Sequence, residues 1–148
     1  MAMQRLALAL FALLGVSLIV GGVLYLVTDR FMPYHAAALQ TEWDALEPNL
    51  QGLILGLIKG LGAGSLVAGC ATLYMVIGAL RGKLRPYRRL LPIVATGYSA
   101  LLCYATWTVY TSTPAKPPLL LTIAYVVIAV FASTILNVQR TVPSDART

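Results

Sequence analysis

The stretch that decides the fold is residues 53–80, which read LILGLIKGLGAGSLVAGCATLYMVIGAL. Small residues recur here at every fourth position, although each glycine destabilises an isolated helix by about 1 kcal/mol relative to alanine. In lipid such a row forms a flat surface on which a second helix packs closely. We therefore expect a membrane helix that packs through this row against the first apolar run, which carries Gly15 and Gly22. The row consists of Gly52, Gly56, Gly60, Gly64, Ala68 and Thr72.

The whole composition indicates an integral membrane protein. Of the 148 residues, 59% are hydrophobic and 11% are charged, whereas a soluble domain averages about 25% charged residues. Four apolar runs reach the length of about 20 residues that a helix needs to cross a bilayer. The predicted fold is all-α, with one domain over residues 1–148 that contains four transmembrane helices in an antiparallel bundle. The runs are Leu6–Val27, Leu53–Leu80, Leu90–Tyr110 and Pro118–Val138.

The charges of the loops indicate the orientation in the membrane. The loop between the second and third runs is basic and has no acidic residue, which places it in the cytoplasm by the positive-inside rule. The loop between the first two runs holds most of the acidic residues and is then outside. We expect a bacterial inner (plasma) membrane, with the N- and C-termini cytoplasmic. The cytoplasmic cations are Arg81, Lys83, Arg85, Arg88 and Arg89 in the loop, with Arg5, Arg140 and Arg147 near the termini.

The net charge of +6 is therefore a topology signal, and we predict no nucleic-acid partner. The positive excess belongs to one short hairpin that offers no element for reading bases. We expect the loop of residues 81–89 to contact the anionic headgroups of membrane lipids.

The outer loop between the first two spans predicts a short amphipathic helix over Pro33–Leu46. Pro33 can open a helix at its first turn, and Leu39, Trp43 and Leu46 recur at the spacing of one helical face. This helix either lies on the outer membrane surface or folds down as a lid on the mouth of the bundle.

The only histidine, His35, lies seven residues before Glu42, so both fall on one edge of the predicted outer helix. With Asp44 and Glu47, His35 forms either an acid–base or weak metal cluster, or a solvated polar face. One histidine supplies neither a bis-histidine haem site nor a zinc site without several carboxylates. We predict no cofactor, no metal centre and no catalytic residue.

Lys59 is a candidate functional residue because ionisable side chains inside spans are rare. It lies about eight residues, or roughly 12 Å, below the outer end of its span. Its side chain points back towards the outer surface, because helical side chains tilt towards the N-terminus. It either pairs with a loop carboxylate such as Asp29 or Glu42, or binds an anionic group such as a lipid phosphate.

The third span is the most polar, and its deep tyrosines Tyr98 and Tyr104 need hydrogen-bond partners in lipid. The predicted ligand-binding residues are therefore Lys59, Tyr98, Tyr104, His35 and Glu42, around a pocket under the outer helix. Four other aromatic residues fit a belt at the outer interface. They are Tyr25, Tyr34, Trp107 and Tyr110.

Three functions remain open. The first is a structural or accessory subunit that packs through small-residue helix faces in a homo- or hetero-oligomer. Within the bundle itself we predict that Gly60→Leu lowers thermal stability more than Leu61→Ala, because leucine at position 60 would push apart a close helix contact. The second is the binding or transport of a small apolar or anionic molecule near Lys59. The third is a membrane enzyme at the outer interface. No acidic residue lies inside any span, which argues against cation-coupled export, and no motif specifies a reaction, so the first function is favoured.

Overall fold

The described part of the chain forms five α-helices joined by short connections. The computed structural model describes residues 2–138, except for the side chains of residues 83–85, and this part of the chain contains no strand. The predicted all-helical class is thus confirmed, while Arg140 and Arg147 lie outside the described residues. The helices are α1 (Ala2–Val27), α2 (Pro33–Leu39), α3 (Pro48–Gly78), α4 (Leu84–Ser112) and α5 (Leu119–Val138).

Four of these helices, α1, α3, α4 and α5, are long and apolar enough to cross a membrane. Each has at least the length of about 20 residues that spans a hydrocarbon core of about 30 Å. The prediction of four apolar spans is therefore confirmed at the level of length and composition. The least apolar of the four is α4, which carries the tyrosines and threonines of the third predicted span.

Glycines make the contact between α1 and α3, which is the most extensive contact between two of the described helices. A Cβ atom built at Gly22 would lie 2.8 Å from the carbonyl oxygen of Gly62. One built at Gly69 would lie 2.7 Å from the carbonyl oxygen of Gly15. Only hydrogen fits at these positions, so the two backbones touch directly.

The face of α3 that makes this contact differs from the predicted row. Cβ atoms built at Gly52, Gly56 and Gly60 would meet no atom within 4 Å, and all three glycines are exposed. The glycines that meet α1 are instead Gly62 and Gly69. The outer part of the predicted row therefore faces away from the described part of the chain.

The geometry of the helix explains this difference. A step of four residues turns by about 400°, so a row with that period drifts around the helix by about 40° per step. The outer and inner ends of the row consequently meet different surroundings. Gly64 lies near the hydroxyl of Tyr98, which is 3.4 Å from a Cβ atom built there, and Ala68 is buried.

The core is an apolar cluster to which all four long helices contribute. α1 is its central element, because it packs extensively against both α3 and α5, while α4 packs against α3 and α5 from the other side. Alanine is frequent where helices approach one another closely, as at the fully buried Ala95 and Ala129. The largest fully buried apolar side chains are Leu8, Phe11, Leu14, Leu18, Leu91 and Leu136.

The chain reverses between α3 and α4 at Ala79–Lys83. Gly82 has a φ of 84° there, a left-handed conformation that glycine adopts without steric strain. The side chains of Lys83 and Arg85, which the sequence assigns to the headgroup region, are outside the described part of the structure.

Arg88, near the start of α4, binds the end of α5. Its Nε and Nη2 atoms donate hydrogen bonds of 3.1 and 2.7 Å to the carbonyl oxygen of Leu136. That carbonyl belongs to the last turn of α5, where helix carbonyls have no intrahelical amide partner. One cation of the predicted lipid-contacting loop therefore joins two helices.

The predicted outer helix Pro33–Leu46 is shorter in the structure and ends at Leu39. Gln40 stops it by adopting a left-handed conformation with a φ of 54°. The chain then turns so that Trp43 packs edge-on against Phe31, with ring centroids 5.0 Å apart. Phe31 is only 9% exposed, and this aromatic contact joins the two sides of the loop that flank α2.

Candidate functional site

A cavity of about 180 Å³ lies among the four long helices and α2. An engineered apolar cavity of about 150 Å³ in another protein holds benzene, so this one has room for a single ring. Its walls are mainly apolar, with hydroxyl groups at a few positions. Residues from each long helix line it, among them Ser17, Tyr25, Leu61, Leu102, Thr106 and Tyr125.

Three ring side chains form the polar end of the cavity. The hydroxyls of Tyr25, in the last turn of α1, and Tyr34, in α2, share a hydrogen bond. The ring of His35 lies 4.1 Å from that of Tyr34, centroid to centroid. Its Nδ1 accepts a hydrogen bond of 3.0 Å from the backbone N–H of Met32. In the neutral ring the proton is therefore on Nε2.

The bond from Met32 also explains why α2 begins here. His35 occupies the third position of the helix, from which a side chain can reach back to the N-cap amide, as glutamate does in a capping box. Pro33 at the first position has no N–H that would need a partner. The short helix thus fixes the position of the His35 ring at the cavity.

Burial controls the protonation of this polar end. It lowers the pKa of His35 below its ordinary value, because the charged imidazolium loses hydration. Burial, and then the hydrogen bond with Tyr25, raises the pKa of Tyr34. Both side chains are uncharged at neutral pH. Since no Asp, Glu, Lys or Arg is among the described residues that line the cavity, the site carries no formal charge.

Hydroxyl groups along the walls have partners within the bundle. Thr106 donates a hydrogen bond of 2.8 Å to the carbonyl oxygen of Leu102 in its own helix. Ser65 and Tyr98 join α3 to α4 through a hydroxyl–hydroxyl bond of 2.6 Å. These groups are satisfied without a ligand, as an apolar surrounding requires.

The structure does not bring the predicted ligand-binding residues together. His35 lines the cavity, and Tyr98 lies just outside it, bonded to the wall residue Ser65. Tyr104 is 70% exposed. Lys59 and Glu42 are also exposed, and neither forms an ion pair within the described part of the chain.

The predicted cluster of His35 with the loop acids is not assembled either. The helix break at Gln40 separates His35 from Glu42, and Asp44 pairs instead with Arg30 at 3.6 Å on the exposed surface. Among the described residues no group of three or more His, Cys, Asp and Glu side chains could hold a metal ion.

The sequence pattern places Tyr25 and Tyr34 in the aromatic belt but does not predict their contact. The two tyrosines are separated by the turn after α1, and the chain must fold back for their hydroxyls to meet. Pro33, which starts a new helix immediately after that turn, is the sequence signal that could have indicated this reversal.

The outward face of α3 is a second candidate feature. It presents the exposed glycines Gly52, Gly56 and Gly60, with Lys59 beside them. Lys59 makes no hydrogen bond or ion pair with any described residue. A flat surface with one unpaired cation is therefore left within the span.

No protein-family model, no curated protein and no solved structure matches this chain. The geometry and the chemistry of the cavity and of the outward face of α3 are therefore the basis for a proposed function.

Proposed function

We propose that this chain is an integral protein of a bacterial inner membrane, with four antiparallel spans and cytoplasmic termini. The contacts of Gly15 with Gly69 and of Gly22 with Gly62 support opposite directions for α1 and α3, because a later residue of one meets an earlier residue of the other. The basic hairpin of residues 81–89 supports a cytoplasmic location for that end. α2 then lies outside and acts as the lid of the cavity.

Within this membrane the chain is a structural or accessory subunit that packs on another transmembrane helix. The observation that carries this proposal is the exposure of Gly52, Gly56 and Gly60 on the outward face of α3. Each glycine destabilises a helix by about 1 kcal/mol relative to alanine, and these three make no close contact with another described residue that would offset it. A second helix lying closely on them would do so.

Lys59 favours a particular chemistry for this partner. On insertion scales a lysine at the centre of a span is unfavourable by about 2.5–3.5 kcal/mol. The four long helices contain no Asp or Glu, so a second copy would offer no carboxylate from inside its spans. A different membrane protein with an acidic side chain near the level of Lys59 is therefore the favoured partner.

Anionic lipid headgroups are the second proposed partner, at the hairpin of residues 81–89. Arg81 and Arg89 are exposed, and each basic residue near an anionic membrane surface contributes about 1 kcal/mol of attraction. Arg88 contributes less to this contact because its guanidinium binds the Leu136 carbonyl.

Mass spectrometry of native complexes, extracted with mild detergent from the source membrane, tests the proposed assembly. We expect a stoichiometric partner with the wild-type chain and its loss with Gly56→Leu, because leucine would hold the two helices apart. Gly97→Leu is the matched control, since Gly97 is an open helical glycine of α4, and it should retain the partner.

Two further results would be informative. Lys59→Met should weaken the complex if a carboxylate of the partner faces Lys59. If a homo-oligomer is found and Gly56→Leu dissociates it, the partner is a second copy of this chain and not a different protein. A bare monomer in the native extract would overturn the proposal.

A further inference from the structure

The size of the cavity indicates an apolar guest of about one ring. Its volume of about 180 Å³ exceeds that of the engineered cavity of about 150 Å³ that binds benzene in another protein. Leu18, Leu61 and Leu121 contribute to its walls. Walls that face an unfilled space lose dispersion contacts, and an apolar guest would restore them.

The electrostatics of the cavity indicate that the guest is uncharged. No Asp, Glu, Lys or Arg lies among the described lining residues, and burial keeps His35 and Tyr34 neutral. A charged ligand would lose its hydration without finding an opposite charge, which is strongly unfavourable.

The polar end supplies hydrogen-bond donors. The hydroxyls of Tyr25 and Tyr34 share one hydrogen bond, so one hydroxyl proton is used in that bond and the other is available. His35 uses Nδ1 as the acceptor for Met32, which leaves the Nε2–H as a second donor. An oxygen acceptor on the guest would complement these groups.

We propose that the cavity binds an uncharged single-ring molecule that carries a carbonyl oxygen, with the ring between the apolar walls and the oxygen at the Tyr25, Tyr34 and His35 end. This site is distinct from the outward face of α3 and does not depend on the assembly proposed above. Because Tyr34 and His35 both belong to α2, the guest would hold that helix closed over the bundle.

Fluorine NMR titration of the full chain in lipid nanodiscs tests the site, with 4′-fluoroacetophenone as the probe. We expect saturable binding to the wild type and none to Gly21→Leu. Gly21 lines the cavity, and a Cβ atom built there would meet no atom within 4 Å, so leucine fills the cavity without a backbone clash. Gly97→Leu carries the same change at an open glycine that is not among the lining residues, and it should bind as the wild type does.

The role of the polar end has its own test. In the double variant Tyr25→Phe with Tyr34→Phe we expect the affinity for 4′-fluoroacetophenone to fall about fivefold, the effect of losing one hydrogen bond. The affinity for fluorobenzene, which has no carbonyl oxygen, should not change. Tyr104→Phe, at an exposed tyrosine, is the control and should alter neither affinity.

Two results would contradict the proposed binding site. A signal that does not saturate, or that is the same in Gly21→Leu, would mean that the probe only partitions into lipid, and it would overturn the proposal. Equal binding of both probes, unchanged in the double variant, would overturn the carbonyl recognition.

Discussion

At the scale of single residues, the glycines divide into two groups that composition alone does not distinguish. Gly62 and Gly69 lie against the backbone of α1, whereas a Cβ atom built at Gly56 or Gly60 meets no described atom within 4 Å. The same residue type thus makes a close contact on one face of α3 and leaves open space on another.

This division predicts that a Gly→Ala substitution has different effects on the free energy of unfolding at two positions of α3. Gly62→Ala should lower the free energy of unfolding by about 2 kcal/mol, because the new methyl group would overlap the backbone of α1. It would lie 2.9 Å from the carbonyl oxygen of Gly22. Gly60→Ala should be neutral or stabilising by up to about 1 kcal/mol, because alanine is the better helix former. Thermal unfolding in detergent, followed by circular dichroism, measures both.

Equal melting temperatures for the two variants would contradict the assignment of Gly62, and not Gly60, to the contact with α1. From the sequence alone, Gly60→Leu is predicted to lower thermal stability more than Leu61→Ala. For the isolated chain the structure favours the reverse order. Gly60 faces open space, while Leu61 lines the cavity.

At the scale of elements, α2 shows how a short helix is fixed by its ends. Pro33 and the His35 side chain define its start, and the left-handed Gln40 defines its end. An isolated helix of this length is unstable in water. Its stability therefore depends on these caps and on the contact between Tyr34 and Tyr25.

The buried histidine predicts that stability depends on pH. The pKa of His35 is lowered in the folded chain, while in the unfolded chain it is about 6.5. Below about pH 6.5 the unfolded state therefore binds more protons, and stability falls as the pH decreases towards the lowered pKa. We expect the melting temperature of the wild type to decrease between pH 7 and pH 5.

His35→Gln is the matched variant, because glutamine can still accept the hydrogen bond from the Met32 amide but does not titrate. His35 is the only histidine of the chain, so this variant should show a nearly flat profile over the same range. A wild-type profile as flat as that of the variant would show that His35 is not protected from protonation.

At the scale of the whole molecule, the four spans follow from hydropathy, because hydropathy depends on composition and not on how the helices pack. The register of α3 could not be predicted in the same way. A row with a period of four residues drifts around the helix, so the sequence does not say which part of it meets α1. A pocket under the outer helix was predicted, but most of its lining was not, since that lining needs Tyr34 to fold back onto Tyr25.

The proposed orientation in the membrane predicts the accessibility of the two ends of the bundle. In a background with Cys70→Ser and Cys103→Ser, a membrane-impermeant maleimide should label Glu42→Cys in intact spheroplasts. It should label Arg81→Cys only after the cells are opened. Both positions are exposed. The reverse pattern would mean that the proposed orientation is inverted. Labelling of both positions from outside would disprove the single membrane crossing by α3 that separates them.

The link between Arg88 and the Leu136 carbonyl has a consequence for biogenesis. Leu136 is synthesised 48 residues after Arg88, so the guanidinium lacks this carbonyl as a partner while α1, α3 and α4 are being made. During that interval α1 and α3 can already pair through their glycines. The bond that joins α5 to α4 can then form only after the other three long helices have been synthesised, and a chain truncated before residue 136 would leave Arg88 without this acceptor.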